Sequence, residues 1–298
     1  MSNNDALAPA PISLTHQHLL SCMNTLVNPV PVDRPLRILD VGCGNGELIA
    51  YILTAFPILR PGAKLEIHGL DVADSGVQAS GFFARTLTML HERFPDIDWA
   101  SRLTLVTSAE AWPYPENYFD FIVSNQVLEH VQNHDLLFSE IRRTLNFECF
   151  SVHLFPLIHY IKEGHIHIPL AHRIRGHGLL RSYIKFMSRL GFGSYREHKQ
   201  KLGMSLDHYA EEHTDYLTFM TNYLSSKELL AACKRSGLRA DFRFTSGFYN
   251  AKLRAIFRRS PIYRYTAPNP WWDTITFFAQ KRISSITLVL EKKQSYAR

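Results

Sequence analysis

Residues 38–47 read Ile-Leu-Asp-Val-Gly-Cys-Gly-Asn-Gly-Glu, with glycine at every second position, Gly42, Gly44 and Gly46, between an apolar run and a helix-compatible one. Glycine has no Cβ and enters φ > 0 at little cost, so such a loop lets backbone close on a ligand. The helix start behind it offers free N–H groups to that ligand. The spacing G-x-G-x-G is not the dinucleotide fingerprint G-x-G-x-x-G. Further on, Lys64 to Leu70 alternates as a strand that ends in Asp71-Val72. An acid at a strand tip can accept from both ribose hydroxyls of a nucleoside.

The second store of chemistry is histidine. His153, His159, His165, His167 and His172 crowd one stretch, and His130 follows Glu129 upstream. Imidazole is the default base near neutrality. His153, His165 and His130 are the candidates for taking a proton from an acceptor. Two other roles stay open for this group. Histidines bonded to backbone would be purely structural, and Glu163, His165, His167 and His172 have ligand types suited to Zn²⁺ or Fe²⁺. No cysteine accompanies them, and no metal is expected. Cys43, inside the glycine loop, reads as a small filler or as an oxidation-sensitive thiol.

The elements that must position these residues alternate along the chain. Apolar runs predict strands at 36–41, 65–71, 102–107, 119–125 and 149–155, with helices near 46–56, 77–94 and 134–145. Such alternation implies an α/β fold, a doubly wound and mostly parallel sheet, with ligands at the C-terminal strand ends. Pro11 to Val27 suggests an amphipathic leading helix near the loop, and Pro29, Pro31 and Pro35 a connector. Four regions are expected: helix and connector over 1–35, a core over 36–156, a mainly helical cap over 157–225, and closing strands over 226–298 with an aromatic and basic insertion at 248–282. Within the last region a helix runs from Ser226 to Arg235, with strands at 240–245 and 283–290.

The loop and Asp40 resemble motif I of the Rossmann-like S-adenosylmethionine-dependent methyltransferases, the broad family with quinone, small-molecule and sugar methyltransferases. Ser108-Ala109-Glu110, the Phe119-Asp120-Phe121-Ile122 strand and Leu128-Glu129-His130 follow in the order that family uses, so the likeness covers about 36–156. It implies a sheet of about seven strands, the last antiparallel beside the fifth. It also implies S-adenosylmethionine as cofactor. Gly42, Gly44 and Gly46 would cradle its methionine and ribose part beside Asp40, Asp71 and Val72 would hold the ribose, Ala109 and Glu110 would border the adenine, and Asn125 and Gln126 would face the sulfonium. The family's Lys-Pro-Gly-Gly turn before the fifth strand is missing. Leu145-Asn146-Phe147-Glu148 stands there, and Asn146 is expected to cap the preceding helix.

The expected reaction is O-methylation of a small-molecule, sugar or lipid-linked glycan acceptor. A quinone or lipid methyltransferase at a membrane surface is the alternative, and a partner subunit that binds the cofactor without transfer is the rival from another class. Residues 1–150 hold 9 Lys and Arg against 17 Asp and Glu, whereas 151–298 hold 24 against 10. The basic half suits an anionic acceptor or peripheral contact with an anionic membrane. The same aromatic and basic stretch at 248–282 could instead be a lid, and nucleic acid is not expected. No signal peptide or apolar span is visible, and the four cysteines lack paired spacing, so a cytoplasmic location is expected.

Overall fold

The computed structural model describes residues 13–73, 80–266 and 270–293. Seven strands form one sheet: β1 (Leu36–Val41), β2 (Leu65–Val72), β3 (Leu103–Val106), β4 (Phe119–Asn125), β5 (Leu145–Phe155), β6 (Leu238–Asp241) and β7 (Ile286–Lys292). Around them lie α1 (Leu14–Leu26), α2 (Glu47–Leu59), α3 (Phe82–Arg93), the single turn α4 (Trp99–Arg102), α5 (His134–Thr144), α6 (His177–Arg189), α7 (Tyr195–Leu202), α8 (Leu206–Phe219), α9 (Ser226–Arg235), α10 (Thr245–Ile256) and α11 (Pro270–Gln280). The strand order is β3-β2-β1-β4-β5-β7-β6. The first five strands in that order are parallel, and β7 runs antiparallel to both β5 and β6. The doubly wound α/β fold and the antiparallel last strand are therefore as expected.

Both faces of this sheet are covered, which is why its central strands are nearly continuous apolar runs. Successive side chains point to opposite faces. Ile38 and Phe121 join the layer that includes α1 and α2, while Leu39 and Ile122 join the layer beneath α5 and α9. The cap has its own small core, in which Ile166 and Ile168 pack with Leu180 and Ile184 of α6 and Tyr209 of α8. Ser225 and Glu228 close a reciprocal capping box at the start of α9, satisfying two donors that a helix start leaves free.

Three expectations needed correction here. Asn146 does not cap α5. The helix ends at Leu145 in extended conformation, β5 begins at once, and Asn146 donates to Asp120 Oδ1 at 2.7 Å. The missing turn is replaced by an irregular register, with Phe119 opposite Leu145 but Phe121 opposite Phe150. The strand expected at 240–245 is shorter and earlier, Leu238–Asp241, because Thr245 already starts α10. The last strand starts at Ile286, not at 283. The helix expected from residue 77 is seen from Phe82, its first expected residues lying outside the described ones, as do Pro11 and Ile12 of the leading helix.

Two histidines are locked inside this framework. His18 meets the Tyr265 hydroxyl at Nδ1 (2.6 Å) and Thr287 Oγ1 at Nε2 (2.8 Å). His153 lies between the Ser124 (2.7 Å) and Ser151 (2.6 Å) hydroxyls. Burial pushes both imidazoles down to about 3, aided at His18 by the Lys252 charge. In the unfolded chain they protonate near pH 6.5, so between those values the unfolded state binds more protons and stability rises with pH. Their contribution is complete above about pH 6.5 and declines toward pH 3 by about 1.4 kcal/mol per pH unit for each histidine. Urea unfolding at a series of pH values should show this slope. A flat profile across the window would contradict the burial.

Candidate active site

The glycine loop leaves β1 with Gly42, Gly44 and Gly46 all at positive φ, 70°, 49° and 74°. At Gly42 an added Cβ would sit 2.4 Å from Val127 Cγ2, so a side chain is excluded by both conformation and space. Asp71, at the tip of β2, fixes the loop from beneath: its Oδ2 accepts from the Gly44 N–H at 2.7 Å and its Oδ1 from the Val72 N–H at 2.8 Å. A carboxylate has about four lone-pair sites, so Asp71 keeps acceptors for a ligand after both bonds. Burial raises its carboxyl above the usual range against the pull of those two N–H groups. Asp40 is also buried and raised, by its burial first and by Asp71 second. Gly46 has a different task. It starts α2 and lets that turn press on Thr86 and Leu90 of α3, 3.0 Å from where a Cβ would be. Thr86 in turn donates to the Gly44 carbonyl at 2.7 Å.

Two adjoining cavities open at the C-terminal strand ends. One, mostly apolar, is lined by Gly42, Asp71, Val72, Val106, Glu110, Trp112, Asn125, Gln126, His130, Leu136 and Leu137, among others. The other, mostly polar, is lined by His16, Asp40, Gly42, Cys43, Gly44, Asn45, Leu48 and Asn125. Gly42 and Asn125 belong to both. Asn125 Oδ1 and His16 Nδ1 are buried without a hydrogen-bond partner, although buried polar atoms normally have one. Both residues line the polar cavity.

Seven of the residues singled out from the sequence line the apolar cavity: Gly42, Asp71, Val72, Glu110, Asn125, Gln126 and His130. Asp40, Gly42, Gly44 and Asn125 line the polar one. Gly46, Ala109, His153 and His165 line neither. Ala109 is exposed in the turn that Glu110 closes by accepting from the Thr107 N–H at 2.8 Å. His153 is corrected from base to core residue. It is fully buried in β5 opposite Leu288 of β7, with both ring nitrogens taken up by serines. His153→Phe should leave the Ser124 and Ser151 hydroxyls unpaired, at about 1–3 kcal/mol each. Denaturation should register that loss while kcat per folded molecule stays at the wild-type value. A collapse of kcat in folded protein would return His153 to the site.

His16 escaped the sequence reading. A signal for it exists, since the leading helix is expected near the loop, but only the fold brings this residue of the first helical turn into the lining of the polar cavity.

Beyond Gln126 the chain enters the 3-10 turn Leu128–His130 and meets the cap. His130 Nδ1 lies 2.7 Å from the Met220 carbonyl, so it carries the proton and Nε2 keeps a free lone pair. Burial is the main cause that holds His130 below its ordinary value, so it is neutral at pH 7. His165 packs against it edge-on, ring centroids 5.0 Å apart. Behind His165, buried Glu163 accepts from His165 Nδ1 (2.7 Å), the His165 and Ile166 N–H groups (2.8 and 2.6 Å) and the Tyr223 hydroxyl (2.8 Å). Burial opposes its ionised form, but these partners hold its carboxyl at about 2. The ligand set imagined around Glu163, His167 and His172 does not form, since Glu163 is consumed by these bonds and His172 Nε2 turns to the Ile158 carbonyl.

A family model described as a methyltransferase domain matches residues 21–241. Among curated proteins, the ubiquinone biosynthesis O-methyltransferase of Brucella anthropi is 32% identical over 111 residues, 37% of this chain and 37% of that protein. The malonyl-[acyl-carrier protein] O-methyltransferase of Legionella pneumophila is 26% identical over 113 residues, 38% of this chain and 33% of that one. The aligned stretches thus span little more than a third of either relative. Among solved structures, phosphoethanolamine N-methyltransferase 2 of Haemonchus contortus, in complex with S-adenosyl-L-methionine, aligns at TM-score 0.47 and 15% identity, covering 93% of this chain and 52% of that one. With the family match spanning most of the chain and the glycine loop, acidic strand tip and strand order in place, the chain belongs to the methyltransferase domain family as a class I, S-adenosylmethionine-dependent methyltransferase.

Proposed function

We propose that this protein methylates a hydroxyl on a small-molecule, sugar or lipid-linked glycan acceptor, with S-adenosylmethionine lying across both cavities. The observation that carries the reading is the pair of orphaned buried atoms, Asn125 Oδ1 and His16 Nδ1, on residues lining the polar cavity. An ammonium would satisfy the first and a carboxylate the second, which are the two charged ends of the methionine part. Asp71 accepts from the ribose, and Val72, Val106, Trp112, Leu136 and Leu137 give the adenine an apolar slot. Asn125 and Gly42, shared by both cavities, then flank the sulfonium. That group supplies a methyl already on a good leaving group, so the protein must align the acceptor, exclude water and take a proton. His130, neutral and with Nε2 free, is the group placed to act on the acceptor hydroxyl.

The basic C-terminal half supports a second feature of this reading, an acceptor held at an anionic surface. Ile256 and Phe257, 71% and 69% exposed, directly precede Arg258 and Arg259, and Trp271 of the same stretch is 71% exposed, a composition suited to a lipid interface. Phe248, Tyr263 and Phe277 of the same stretch are buried, so it serves the core as well. Among the described residues no helix is long and apolar enough to cross a membrane.

The test is to incubate protein, cell extract and S-adenosylmethionine carrying a labelled methyl, then partition the product between organic solvent and water. Label bound to oxygen supports the reading, in the organic phase for a lipid-linked acceptor and in water for a soluble one. Label on nitrogen or carbon only, or none from any extract, refutes it.

A further inference from the structure

Next to the apolar cavity, Glu129 poses a problem that methyl transfer alone does not solve. The residue is 1% exposed, and among the described residues no other residue hydrogen-bonds to either carboxyl oxygen. An isolated buried carboxylate is costly unless something cationic or protic faces it. The atoms that do face it are nitrogens of His130 and His165: one potential ligand atom from each of Glu129, His130 and His165 lies within 4.8 Å of the others.

Those imidazoles are also prepared. Among the described residues the partner of His130 Nδ1 is a backbone carbonyl, which can only accept, at 2.7 Å. His165 Nδ1 faces the Glu163 carboxylate at 2.7 Å, and Tyr223 steadies that carboxylate from its other side at 2.8 Å. In both rings the proton is therefore fixed on Nδ1 and the Nε2 lone pair is free. A carboxylate or carbonyl behind each histidine is the arrangement that orients imidazole ligands toward a metal and raises their basicity.

We propose that Glu129, His130 and His165 form a binding site for a divalent cation of the Zn²⁺ class, beside the apolar cavity that His130 lines. Two imidazoles and one carboxylate are a ligand set used by catalytic zinc, which leaves further positions open. The inference rests on the O-methylation reading and sharpens it, because His130 then acts through the cation instead of as a free base. An acceptor hydroxyl bound at an open position would release its proton to solvent more readily. Its oxygen would take the methyl as the C–S bond breaks, and that electron pair would stay with sulfur as S-adenosylhomocysteine. The cap supplies three of the groups around the site, His165, Glu163 and Tyr223, so loss of the cation would also loosen the cap from the core.

Co²⁺ is the probe, because its visible absorption reports coordination without any turnover. Chelator-treated full-length protein titrated with Co²⁺ should develop ligand-field bands that saturate at one equivalent and are displaced by Zn²⁺. His165→Gln, at a partly exposed position that tolerates substitution, should weaken Co²⁺ at least 10-fold. Glu129→Gln should do the same, and Glu163→Gln should weaken it less. No bands in the wild-type protein, or equal affinity in His165→Gln and Glu129→Gln, overturns the site. Full methyl transfer to oxygen by metal-free enzyme would also overturn it while leaving the O-methylation reading intact. Stoichiometric Co²⁺ binding with label appearing only on nitrogen would do the reverse.

Discussion

Asp71→Ala is expected to weaken S-adenosylmethionine binding by about 100- to 1000-fold, which corresponds to about 3–4 kcal/mol. Two effects combine. The ribose loses a charged acceptor, and hydrogen bonds to charged groups contribute about 1.5–3 kcal/mol each. The loop also loses its anchor, since Gly44 and Val72 N–H groups that now end on Asp71 would be left without acceptors. Calorimetric titration with the cofactor measures the affinity, and unfolding of the cofactor-free variant measures the anchor. Asp71→Asn separates the two, because an amide oxygen can still accept from the loop while the charge is gone. Wild-type affinity in Asp71→Ala would remove this carboxylate from the cofactor site.

His130→Ala should lower kcat by about 10²- to 10⁴-fold, the span typical of a lost proton-transfer group, whether His130 takes the proton itself or acts through a bound cation. Cofactor affinity should change only a few-fold, since Asp71, Asn125 and the glycine loop remain. The wild-type pH–rate profile should be flat at neutrality, with an acid limb below pH 6.5. The direction follows from burial, which holds the His130 imidazole below its ordinary value, so protonation sets in only on the acid side. Loss of that limb in the variant would identify His130 as its source. An unchanged kcat, measured with saturating cofactor and acceptor, would exclude His130 from the chemistry.

The cofactor half could be read from the chain because its determinants are local. Gly42, Gly44 and Gly46 are a loop whose backbone demands glycine within five residues of each other, and Asp71 closes a strand whose alternation is visible in eight. The acceptor half could not. His153 reads as a base because it opens the histidine-rich stretch at the end of the expected fifth strand, where an acceptor would sit. Its burial is set by β7, which pairs with it from the far end of the chain. Asn146 failed as a cap for a similar reason: the Asp120 carboxylate, held by Arg34 and the Arg37 N–H, claims its side chain. Glu129 entered only as part of a family pattern, and nothing in its neighbours along the chain says that it is buried and unpaired. Its surroundings come from Glu163, Tyr216 and Tyr223, brought in by the cap. His16 marks the middle case, an expected helix whose one functional side chain had to be found in three dimensions.

The leading helix has a consequence for how this chain is made. Gln17 and Ser21 donate to the Ile262 carbonyl, Asn24 to the Tyr263 carbonyl, and His18 bonds Tyr265 and Thr287. Apart from Asn24, which also accepts from Arg60, these polar groups of α1 wait for their partners until residues 262–287 have left the ribosome, and β5 likewise waits for β7 to cover its open edge. The glycine loop and Asp71 are synthesised well before them, but the helix that carries His16 cannot complete its docking until residues 262–287 have been made. A nascent chain stalled before β7 should thus hold an exposed strand edge and an undocked first helix, the state in which this protein would depend most on a chaperone.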